Sequence, residues 1–333
     1  MFYPIARRAL FTLDPERAHR LTLDALRVAG CAGSALRESA PITSMGLRFA
    51  NPVGLAAGFD KHGEAVDGLG RVGFGFIEVG TVTPRPQPGQ PRPRVFRLPG
   101  ASALINRLGF PSDGAEAVAA RLSRRRFRGV VGVNIGKNAD TRIEKAVDDY
   151  VSAFRMLHGV ADYIAVNVSS PNTPALRALQ ARERLGPLLA ALLEERNAAR
   201  ASASKALPIL VKISPDAERS ELEDLAALVK SLPIDGVIAT NTTVARPEVV
   251  AGEPHRAEMG GLSGPPLHPL ALSTVSTLRE LLGRQFPIIG VGGIDSGDTA
   301  RAKLAAGASL VQLYTGLIYR GPALVRECVD ALA

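Results

Sequence analysis

The stretch Val130-Val-Gly-Val-Asn-Ile-Gly136 is a mostly β-branched, apolar run that ends on a small residue. A run that is apolar along its whole length is typical of a strand buried on both faces of a parallel sheet. In the segment that follows, one helical face collects Ala146, Val147, Tyr150, Val151, Phe154 and Leu157. This spacing predicts an amphipathic helix, so the two patterns together predict one β/α unit.

The same unit recurs along the chain from residue 50 onward. The predicted strands are residues 53–58, 76–83, 130–136, 163–170, 208–214, 236–243, 287–294 and 309–316. Two of the helices that follow strands have sequences typical of capping boxes, Thr141-Arg-Ile-Glu144 and Ser220-Glu-Leu-Glu223,. Eight such units in about 280 residues favour an α/β fold of the closed (β/α)8 (TIM) barrel type over an open sheet.

Two segments fall outside the repeat. Residues 84–111, rich in Pro and Arg, are too long for an ordinary β/α loop, and we expect a functional excursion above the barrel,. The other segment is the N-terminus, where two short amphipathic helices and a linker over about residues 31–43 are predicted,. We therefore expect a small helical domain over residues 1–40 and a catalytic barrel over residues 41–333.

The residues of the N-terminal helices follow two stripes. Asp14 and Pro15 are predicted as the N-cap and first residue of the second helix, which Gly30 is expected to end,. The predicted face of the first helix is Phe2, Ile5, Ala6, Ala9, Leu10 and Leu13, and that of the second is Ala18, Leu21, Thr22, Ala25, Leu26 and Ala29.

The composition excludes several classes of protein. With 333 residues, of which 46% are hydrophobic, the chain is long enough to bury a large core and too apolar for a disordered protein,. Cys31 and Cys328 form no CxxC pair, so we predict neither a disulfide framework nor a metal site,. No apolar run approaches the length of a membrane span, and Arg7-Arg8 is not followed by a signal-peptide core,.

The net charge of +8 is compatible with several anionic partners. Nucleic acid, a phosphorylated cofactor and an acidic lipid surface would all be attracted, and the sign alone does not choose among them. The densest basic run, residues 121–128, follows an apolar-periodic stretch and is interpreted as a solvated helix end rather than a binding patch.

In a barrel of this type the active site forms at the C-terminal ends of the strands, and the asparagines concentrate there. Six of the eight asparagines lie at or beyond predicted strand ends or in the excursion: Asn106, Asn134, Asn138, Asn167, Asn172 and Asn241. An amide donates and accepts side by side, which suits the alternating edge of a flavin or pyrimidine ring. A mere preference of Asn for loops would place more of them at the other end of the barrel.

Lysine shows a similar placement, although the chain has 33 Arg and only 7 Lys. Lys61, Lys137 and Lys212 occupy the ends of the first, third and fifth strands. Because an unpaired buried ammonium is costly, we expect an anionic ligand or a carboxylate beside Lys212.

Glycines end the last two strands, in Gly290-Val-Gly-Gly293 and Tyr314-Thr-Gly316, and Ser263-Gly264 precedes them. Such glycines let backbone N–H groups approach a phosphate, although they could also be simple tight turns. The GxGxxG match at Gly68 precedes a strand instead of following one, so a Rossmann site is rejected,. At the end of the fourth strand, Ser170 could be a catalytic base or a cap before Pro171.

Six motifs carry a resemblance to a known family. They are Leu55-Ala-Ala-Gly-Phe-Asp-Lys61, Gly80-Thr-Val-Thr-Pro-Arg-Pro-Gln-Pro-Gly89, Ile105-Asn-Arg-Leu-Gly-Phe110, Asn167-Val-Ser-Ser-Pro-Asn-Thr-Pro174, Ala239-Thr-Asn-Thr-Thr243 and Gly290-Val-Gly-Gly-Ile-Asp295. In this order they closely resemble the membrane-associated, quinone-dependent class 2 dihydroorotate dehydrogenases, from residue 2 to the C-terminus. The related soluble class has a Cys where this class has Ser, and no Cys lies near a strand end here.

The resemblance implies an FMN-dependent oxidoreductase that converts (S)-dihydroorotate to orotate in de novo pyrimidine biosynthesis, with ubiquinone or menaquinone as the final acceptor. Ser170 would take the C5 proton, with Thr173 and a water as relay. The implied substrate-binding residues are Lys61, Asn106, Arg107, Leu108, Gly109, Phe110, Asn167, Asn172, Asn241 and Thr242. The implied FMN-binding residues are Ala57, Gly58, Phe59, Asp60, Lys61, Thr81, Asn134, Asn167, Lys212, Thr240, Gly264, Gly293, Tyr314 and Thr315.

A quinone dissolved in a bilayer also implies a peripheral enzyme on the cytoplasmic side of the inner membrane, with the N-terminal helices lying on the lipid surface. The arginines expected to face lipid phosphates are Arg7, Arg8, Arg17, Arg20 and Arg27. No nucleic-acid partner and no partner subunit are expected. Two alternatives are another FMN barrel, such as a tRNA dihydrouridine synthase, and a non-redox scaffold on a membrane surface. The first would want a catalytic Cys and an RNA-binding domain, and the second leaves the Asn and Lys placement unexplained.

Overall fold

The computed structural model of the protein describes residues 3–32, 38–173, 175–200 and 207–333. Phe2, the linker residues 33–37 and Pro174, all used in the sequence-based predictions, lie outside the described residues. The described part contains thirteen strands, β1 to β13: Ile42–Ser44, Leu47–Phe49, Val53–Leu55, Phe76–Val82, Val95–Leu98, Ala103–Asn106, Val130–Ile135, Tyr163–Asn167, Ile209–Ile213, Gly236–Ala239, Gly261–Ser263, Ile288–Val291 and Leu310–Leu313. It also contains eleven α-helices, α1 to α11: Tyr3–Phe11, Pro15–Gly30, Val66–Val72, Ala115–Leu122, Ala146–Leu157, Arg182–Arg200, Arg219–Ser231, His268–Leu282, Gly297–Ala305, Thr315–Arg320 and Ala323–Leu332.

Eight strands close into a parallel barrel, in the order β3, β4, β7, β8, β9, β10, β12, β13 and back to β3. Each of the eight predicted runs contains one of these strands, so the predicted (β/α)8 barrel is confirmed. Large and small side chains alternate inside it: a Cβ on Gly132 would lie 2.0 Å from the ring of Tyr163. The hairpin of β1 and β2 packs its apolar side chains against this interior cluster, as in the edge-to-face pair of Phe49 and Phe76.

The helices that surround the barrel bury the faces predicted for them. On α5, Tyr150, Phe154 and Leu157 are buried, and Val151 packs against the core. Both predicted capping boxes are wrong. The chain after Thr141 makes a 3-10 turn, Ile143–Lys145, without a side-chain cap.

Helix α7 has a different capping box from the predicted one. It begins at Arg219, and Glu218 and Glu221 form the box, so Ser220 is already inside the helix. The extended backbone of Glu218 leaves its carboxylate free to accept the N3 amide, as an N-cap requires,.

The excursion over residues 84–111 forms a structure that its sequence did not indicate. Strands β5 and β6 make an antiparallel pair, and β11, from a distant part of the chain, adds to the other edge of β6. Phe96, Ile105 and Leu262 belong to a small core of their own beneath this sheet. The sheet holds Asn106, the last residue of β6, at the C-terminal end of the barrel.

The two N-terminal helices form as predicted, with the Asp14 carboxylate accepting the amides of Glu16 and Arg17 at 3.0 Å. Gly30 does not cap the helix: it is the last helical residue, and Cys31 follows in a right-handed conformation. Its role is close approach, because a Cβ on Gly30 would lie 2.9 Å from Gly68 N, and one on Gly68 only 1.9 Å from Leu26 O. Helices α2 and α3 therefore touch backbone to backbone.

The residues predicted to share one apolar face of each helix are divided between exposed and buried positions. On α1 the outward residues include Ala6, Ala9 and Ile5, which is 69% exposed, while Leu10 is half-buried. On α2, Ala18 and Leu23 are buried. The outward residues of α2 include Leu21, Ala25, Ala29 and Val28, which is 74% exposed.

Polar anchors explain which face of α1 turns inward. Tyr3 donates its hydroxyl to Ile318 O at 2.6 Å, and Arg7 donates to Tyr319 O at 2.7 Å. From strand β5 of the excursion, Arg97 donates to Leu13 O, just beyond the end of α1, at 2.8 Å. Arg7 is therefore an anchor to the barrel and does not face outward as predicted. No helix in the described ranges is long and apolar enough to cross a membrane.

Lys303 is a buried cation outside any predicted site. It lies on α9, is 0% exposed, and its Nζ has no hydrogen-bond partner among the described residues. A Cβ on Gly290 of β12 would lie 3.5 Å from its Cδ, so the side chain runs along the barrel strand. Burial lowers the pKa of Lys303 from 10.5 to about 7.

We expect Lys303→Met to raise the free energy of unfolding at pH 7 by about 1–3 kcal/mol, because it removes an unpaired buried polar group. Between pH 7 and 10.5 the unfolded lysine still binds a proton that the folded lysine has lost, so wild-type stability should rise with pH in that window,. Urea unfolding at several pH values would show this rise weakened in the variant. The exposed Lys230 provides the control, Lys230→Met. Equal pH dependence of Lys303→Met and wild type would contradict the assignment.

Candidate functional site

A cavity opens at the C-terminal ends of the barrel strands and collects most of the predicted site residues. Those that line it are Ala57, Gly58, Lys61, Thr81, Asn106, Leu108, Gly109, Phe110, Asn167, Ser170, Asn172, Lys212, Thr240, Asn241, Thr242, Gly264, Gly293, Tyr314 and Thr315. Parallel strands bring these residues together because their carboxyl ends share one rim of the barrel.

Four of the predicted residues do not line this cavity. The guanidinium of Arg107 lies 4.6 Å from the ring of Phe96 and pairs with Glu258 at 2.6 Å, so it points away. Phe59 and Asp60 lie in the loop that follows β3. Phe59 lines a second cavity, described below, and Asp60 accepts the backbone amide of Ala65. Asn134 is fully buried one layer below the cavity.

Two further polar residues singled out at strand ends also serve other contacts. Lys137 is buried and donates to Thr141 O at 2.9 Å and to Asn138 O at 3.1 Å. Asn138 holds the start of the excursion by donating to Arg85 O at 3.0 Å. The asparagines and lysines at predicted strand ends therefore lie in one cavity in most cases, and those that follow the third strand do not.

Below the cavity lies a buried carboxylate, Glu78 of β4, which is 0% exposed. It accepts hydrogen bonds from Asn134 Nδ2 at 2.9 Å, Tyr163 Oη at 2.9 Å and Gln312 Nε2 at 2.7 Å. Lys212 Nζ lies 3.4 Å from its Oε1. The carboxylate expected beside Lys212 is thus present. Burial and the charge of Glu78 hold the pKa of Tyr163 well above its usual value, so this phenol stays a donor.

The amides above Glu78 are oriented in series. Asn134 Nδ2 donates to Glu78, so the Oδ1 of Asn134 faces the other way and accepts from Asn167 Nδ2 at 3.1 Å. Asn167 Oδ1 then accepts from the Ser169 hydroxyl at 3.2 Å and from Asn241 Nδ2 at 3.4 Å. The donor and acceptor faces that these amides present at the cavity are therefore set from below.

Ser170 lies at the cavity wall with few competing contacts. Its Oγ accepts from the backbone N–H of Asn172 at 3.2 Å. Three residues further on, the Oγ1 of Thr173 is buried and has no hydrogen-bond partner among the described residues. A buried hydroxyl without a partner in the described structure, three residues from Ser170, is free to hydrogen-bond a water,.

The glycines at the strand ends bring the backbone close to the cavity. Gly264 and Gly293 have φ values of +100° and +76°, which L side chains rarely adopt,. A Cβ on Gly293 would lie 2.5 Å from the backbone of His268, the first residue of α8. Beside them the Thr315 hydroxyl donates to Ser263 Oγ at 2.8 Å.

The sequence-based reasoning missed two functional candidates, Glu78 and Gln312. Gln312 lines the cavity, and its Oε1 is buried without a partner among the described residues. Each is a lone polar residue inside an apolar barrel strand, in Phe-Ile-Glu-Val and Leu-Val-Gln-Leu. Because such a residue is costly to bury, this contrast could have identified both.

A second cavity, of about 330 Å³, lies between the N-terminal helices and the barrel. Its wall is mostly apolar, and it shares Lys61, Leu108 and Tyr314 with the first cavity. Glu16 of α2 ties the helix to the excursion across this space by pairing with Arg94 at 2.9 Å. The two cavities are thus neighbours separated by a few side chains.

Two titratable groups of the second cavity are perturbed by burial. Burial lowers the pKa of His19 to about 3, and its Nε2 donates to Phe59 O at 2.8 Å, so this ring is neutral. Burial also lowers the pKa of Lys61 to about 8, although Glu16 opposes the shift. Lys61 donates to Gly58 O, which holds it between the two cavities.

Comparisons with known proteins agree with one another. The family model described as dihydroorotate dehydrogenase matches residues 40–333. A protein of Bordetella avium strain 197N, called dihydroorotate dehydrogenase (quinone), is 54% identical over 99% of this chain and 97% of its own length. A protein of the same name from Burkholderia pseudomallei strain 668 is 54% identical over 99% of this chain and 98% of its own.

Solved structures give the same result. The crystal structure of DHODH from Eimeria tenella in complex with ferulenol matches with a TM-score of 0.90 and 39% identity, covering 96% of this chain and 90% of that one. The ligand-free enzyme from Eimeria tenella matches with a TM-score of 0.89 and 40% identity, covering 96% and 94%.

Asp60 illustrates how the loop around Lys61 is held. The carboxylate is fully buried and accepts the amides of Glu64 at 2.9 Å and Ala65 at 2.8 Å, while burial raises its pKa. We expect Asp60→Ala to lower the free energy of unfolding by about 1–3 kcal/mol, since both amides lose their acceptor. Chemical unfolding would measure the loss. Asp60→Asn, which keeps one acceptor oxygen, should lose less; an equal loss in both would contradict this role.

Proposed function

Because the chain belongs to the dihydroorotate dehydrogenase family, we propose that it oxidises (S)-dihydroorotate to orotate in de novo pyrimidine biosynthesis, with FMN as hydride acceptor and a membrane quinone as final electron acceptor. The observation that carries this proposal is the pair of adjoining cavities, one lined by many polar side chains and one mostly apolar, with Lys61, Leu108 and Tyr314 in the shared wall. A water-soluble substrate and a lipid-soluble acceptor can then reach the two sides of one redox group.

The residues of the first cavity fit FMN. Lys212 supplies a buried cation, Gln312 Oε1 is a buried acceptor without a partner in the described structure, and the backbone at Gly264 and Gly293 leaves no room for side chains. The amides of Gly264, Gly293, Tyr314 and Thr315 would hold the phosphate. When bound, FMN supplies a two-electron acceptor for the hydride.

The polar rim fits a planar pyrimidine with alternating donors and acceptors. Asn172 Nδ2 donates to Asn106 Oδ1 at 3.3 Å, which aligns amides from two different segments. Asn241 Oδ1 accepts from the backbone amide of Thr242 at 2.8 Å. Its Nδ2 donates to Asn167 Oδ1 and to Ser169 Oγ, so the orientation of this amide is fixed. Asn106, Asn172, Asn241 and Thr242 would bind the edges of dihydroorotate, and Lys61 would contact its charge.

Ser170 would accept the proton from C5 while the hydride leaves C6. A serine hydroxyl is a weak base, so the proton must pass on. The buried, unpaired Oγ1 of Thr173 supports a relay through a water between these two hydroxyls. This assignment leaves Ser169 to hold Asn167 and Asn241.

The second cavity would admit the quinone ring from the lipid side. The outward faces of α1 and α2 carry exposed apolar residues, including Ile5, Leu21 and Val28. Among the predicted lipid-facing arginines, Arg8 and Arg17 are exposed, whereas Arg20 pairs with Glu64 at 2.9 Å. These features support a peripheral membrane protein, which we place on the cytoplasmic side, with residues 1–40 as the access domain and residues 41–333 as the catalytic domain.

The cofactor assignment is tested on the purified protein. It should be yellow, with absorption bands near 370 and 450 nm (roughly the values of bound flavins), and heating should release the mononucleotide. Chromatography of the released flavin would identify it. Release of FAD, or a colourless protein that cannot be reconstituted with FMN, would refute the proposal.

Ser170→Ala should slow the reduction of the bound flavin by dihydroorotate by about 10² to 10⁴, the usual contribution of a positioned base, with little change in orotate binding. Stopped-flow absorbance measures the rate directly. Ser169→Ala is the matched control and should slow reduction less. The reverse order of the two variants would transfer the role of base to Ser169.

A chain beginning at residue 41 should still allow dihydroorotate to reduce FMN but should lose liposome binding and turn over poorly with long-chain quinone. Separate assays of the two half-reactions and liposome flotation would measure this. In the full chain, Val28→Glu should weaken liposome binding, whereas Val249→Glu, at a site 66% exposed in the segment between β10 and β11, should not. Undiminished turnover of long-chain quinone after truncation would mean that the helices only pack on the barrel.

A further inference from the structure

The buried carboxylate of Glu78 has no assigned role in the proposed reaction. It does not line either cavity, yet it is the only acceptor within hydrogen-bond distance of Lys212 Nζ in the described part of the chain. Lys212 does line the first cavity. An ammonium carries three protons, so the remaining donors of Lys212 are free to face whatever the cavity holds.

The donor set around Glu78 favours a carboxylate over an amide. Asn134, Tyr163, Gln312 and Lys212 all approach it as donors. A glutamine at this position would turn its own NH2 toward at least one of these donors. Burying a charge has a considerable desolvation cost, and an uncharged hydrogen-bonding residue would join the strands as well. Joining the strands therefore does not explain why this residue is charged.

We propose that Glu78 is a positioning residue that acts through Lys212: it keeps the ammonium charged and directed into the cavity whether the bound flavin is oxidised or reduced. The inference rests on the proposed function. Lys212 would stabilise the negative charge that the ring gains on reduction, and Glu78 supplies its counter-charge before that happens. The cation is then in place before the hydride arrives and needs no proton from solvent.

The consequence is measurable as a proton count. In the wild-type holoenzyme, two electrons and one proton enter the flavin, and Lys212 gains nothing. In Glu78→Gln the buried ammonium has no counter-charge while the flavin is oxidised, so Lys212 releases its proton and takes it up again on reduction. Reduction then consumes about one more proton per electron pair, which steepens the fall of the flavin midpoint potential by about 30 mV per pH unit.

The experiment is a redox titration of the FMN-loaded, full-length protein with a chemical two-electron reductant at several pH values. We expect the steeper pH dependence in Glu78→Gln and wild-type dependence in Glu78→Asp, which keeps the charge. Tyr163→Phe removes one donor from the same hub and should lower thermal stability without changing the proton count. Because Lys212→Met removes the amine that would titrate, Lys212→Met and the double variant Glu78→Gln/Lys212→Met should have the same proton count as each other.

The possible results separate the inference about Glu78 from the proposed function. The same proton count in wild type and Glu78→Gln would make Glu78 a structural hub only and overturn the inference. If Glu78→Gln fails to fold or to retain FMN, the double variant is decisive: restored FMN binding supports a charge-balancing role, and continued failure overturns it. A wild-type protein that binds no FMN would instead refute the proposed function, so the two failures are distinguishable.

Discussion

The hydrogen bonds to the buried carboxylate of Glu78 determine how the rest of the site is arranged. A carboxylate only accepts, so every neighbour must present a donor, and Asn134 therefore turns its NH2 downward,. Its carbonyl oxygen then fixes Asn167, and Asn167 fixes Asn241. Through this series, one charge beneath the cavity determines the orientation of the amides that line it,.

The barrel makes this series possible because side chains from strands that are not neighbours meet in its interior. Glu78 and Lys212 are 134 residues apart in the chain, yet their side chains meet inside the closed sheet. The excursion uses the same principle at the rim, where β11 joins β6 and fixes Asn106 opposite Asn172. The N-terminal helices are attached by polar anchors and by the close approach of Gly30 to Gly68, and so the second cavity stays open between helices and barrel.

Much of this was predictable from the sequence, for physical reasons. Apolar strand runs have a signature that survives without neighbours, so all eight barrel strands were found. Strand ends were enough to collect Asn167, Ser170, Lys212 and Asn241 in one cavity. The direction of Arg107 was not predictable, because it depends on Phe96 and Glu258, which lie in other segments. Nor was the outward face of α2, because its apolar residues cover a broad arc of the helix and contacts with the folded barrel decide which part of that arc turns inward. Glu78 was not predicted, because site candidates were sought at strand ends and Glu78 lies inside a strand.

The shared wall of the two cavities has a consequence for the design of selective ligands. The polar cavity is lined by amides whose orientations depend on one another, so a change at one position disturbs several hydrogen bonds. The apolar cavity is shaped by side chains such as Leu10, Leu23 and Leu26, which can be exchanged for others of similar volume at little cost,. Shape in the second cavity is therefore free to diverge between related organisms while the first stays alike. A compound intended to distinguish this protein from its relatives should fill the space beneath the N-terminal helices.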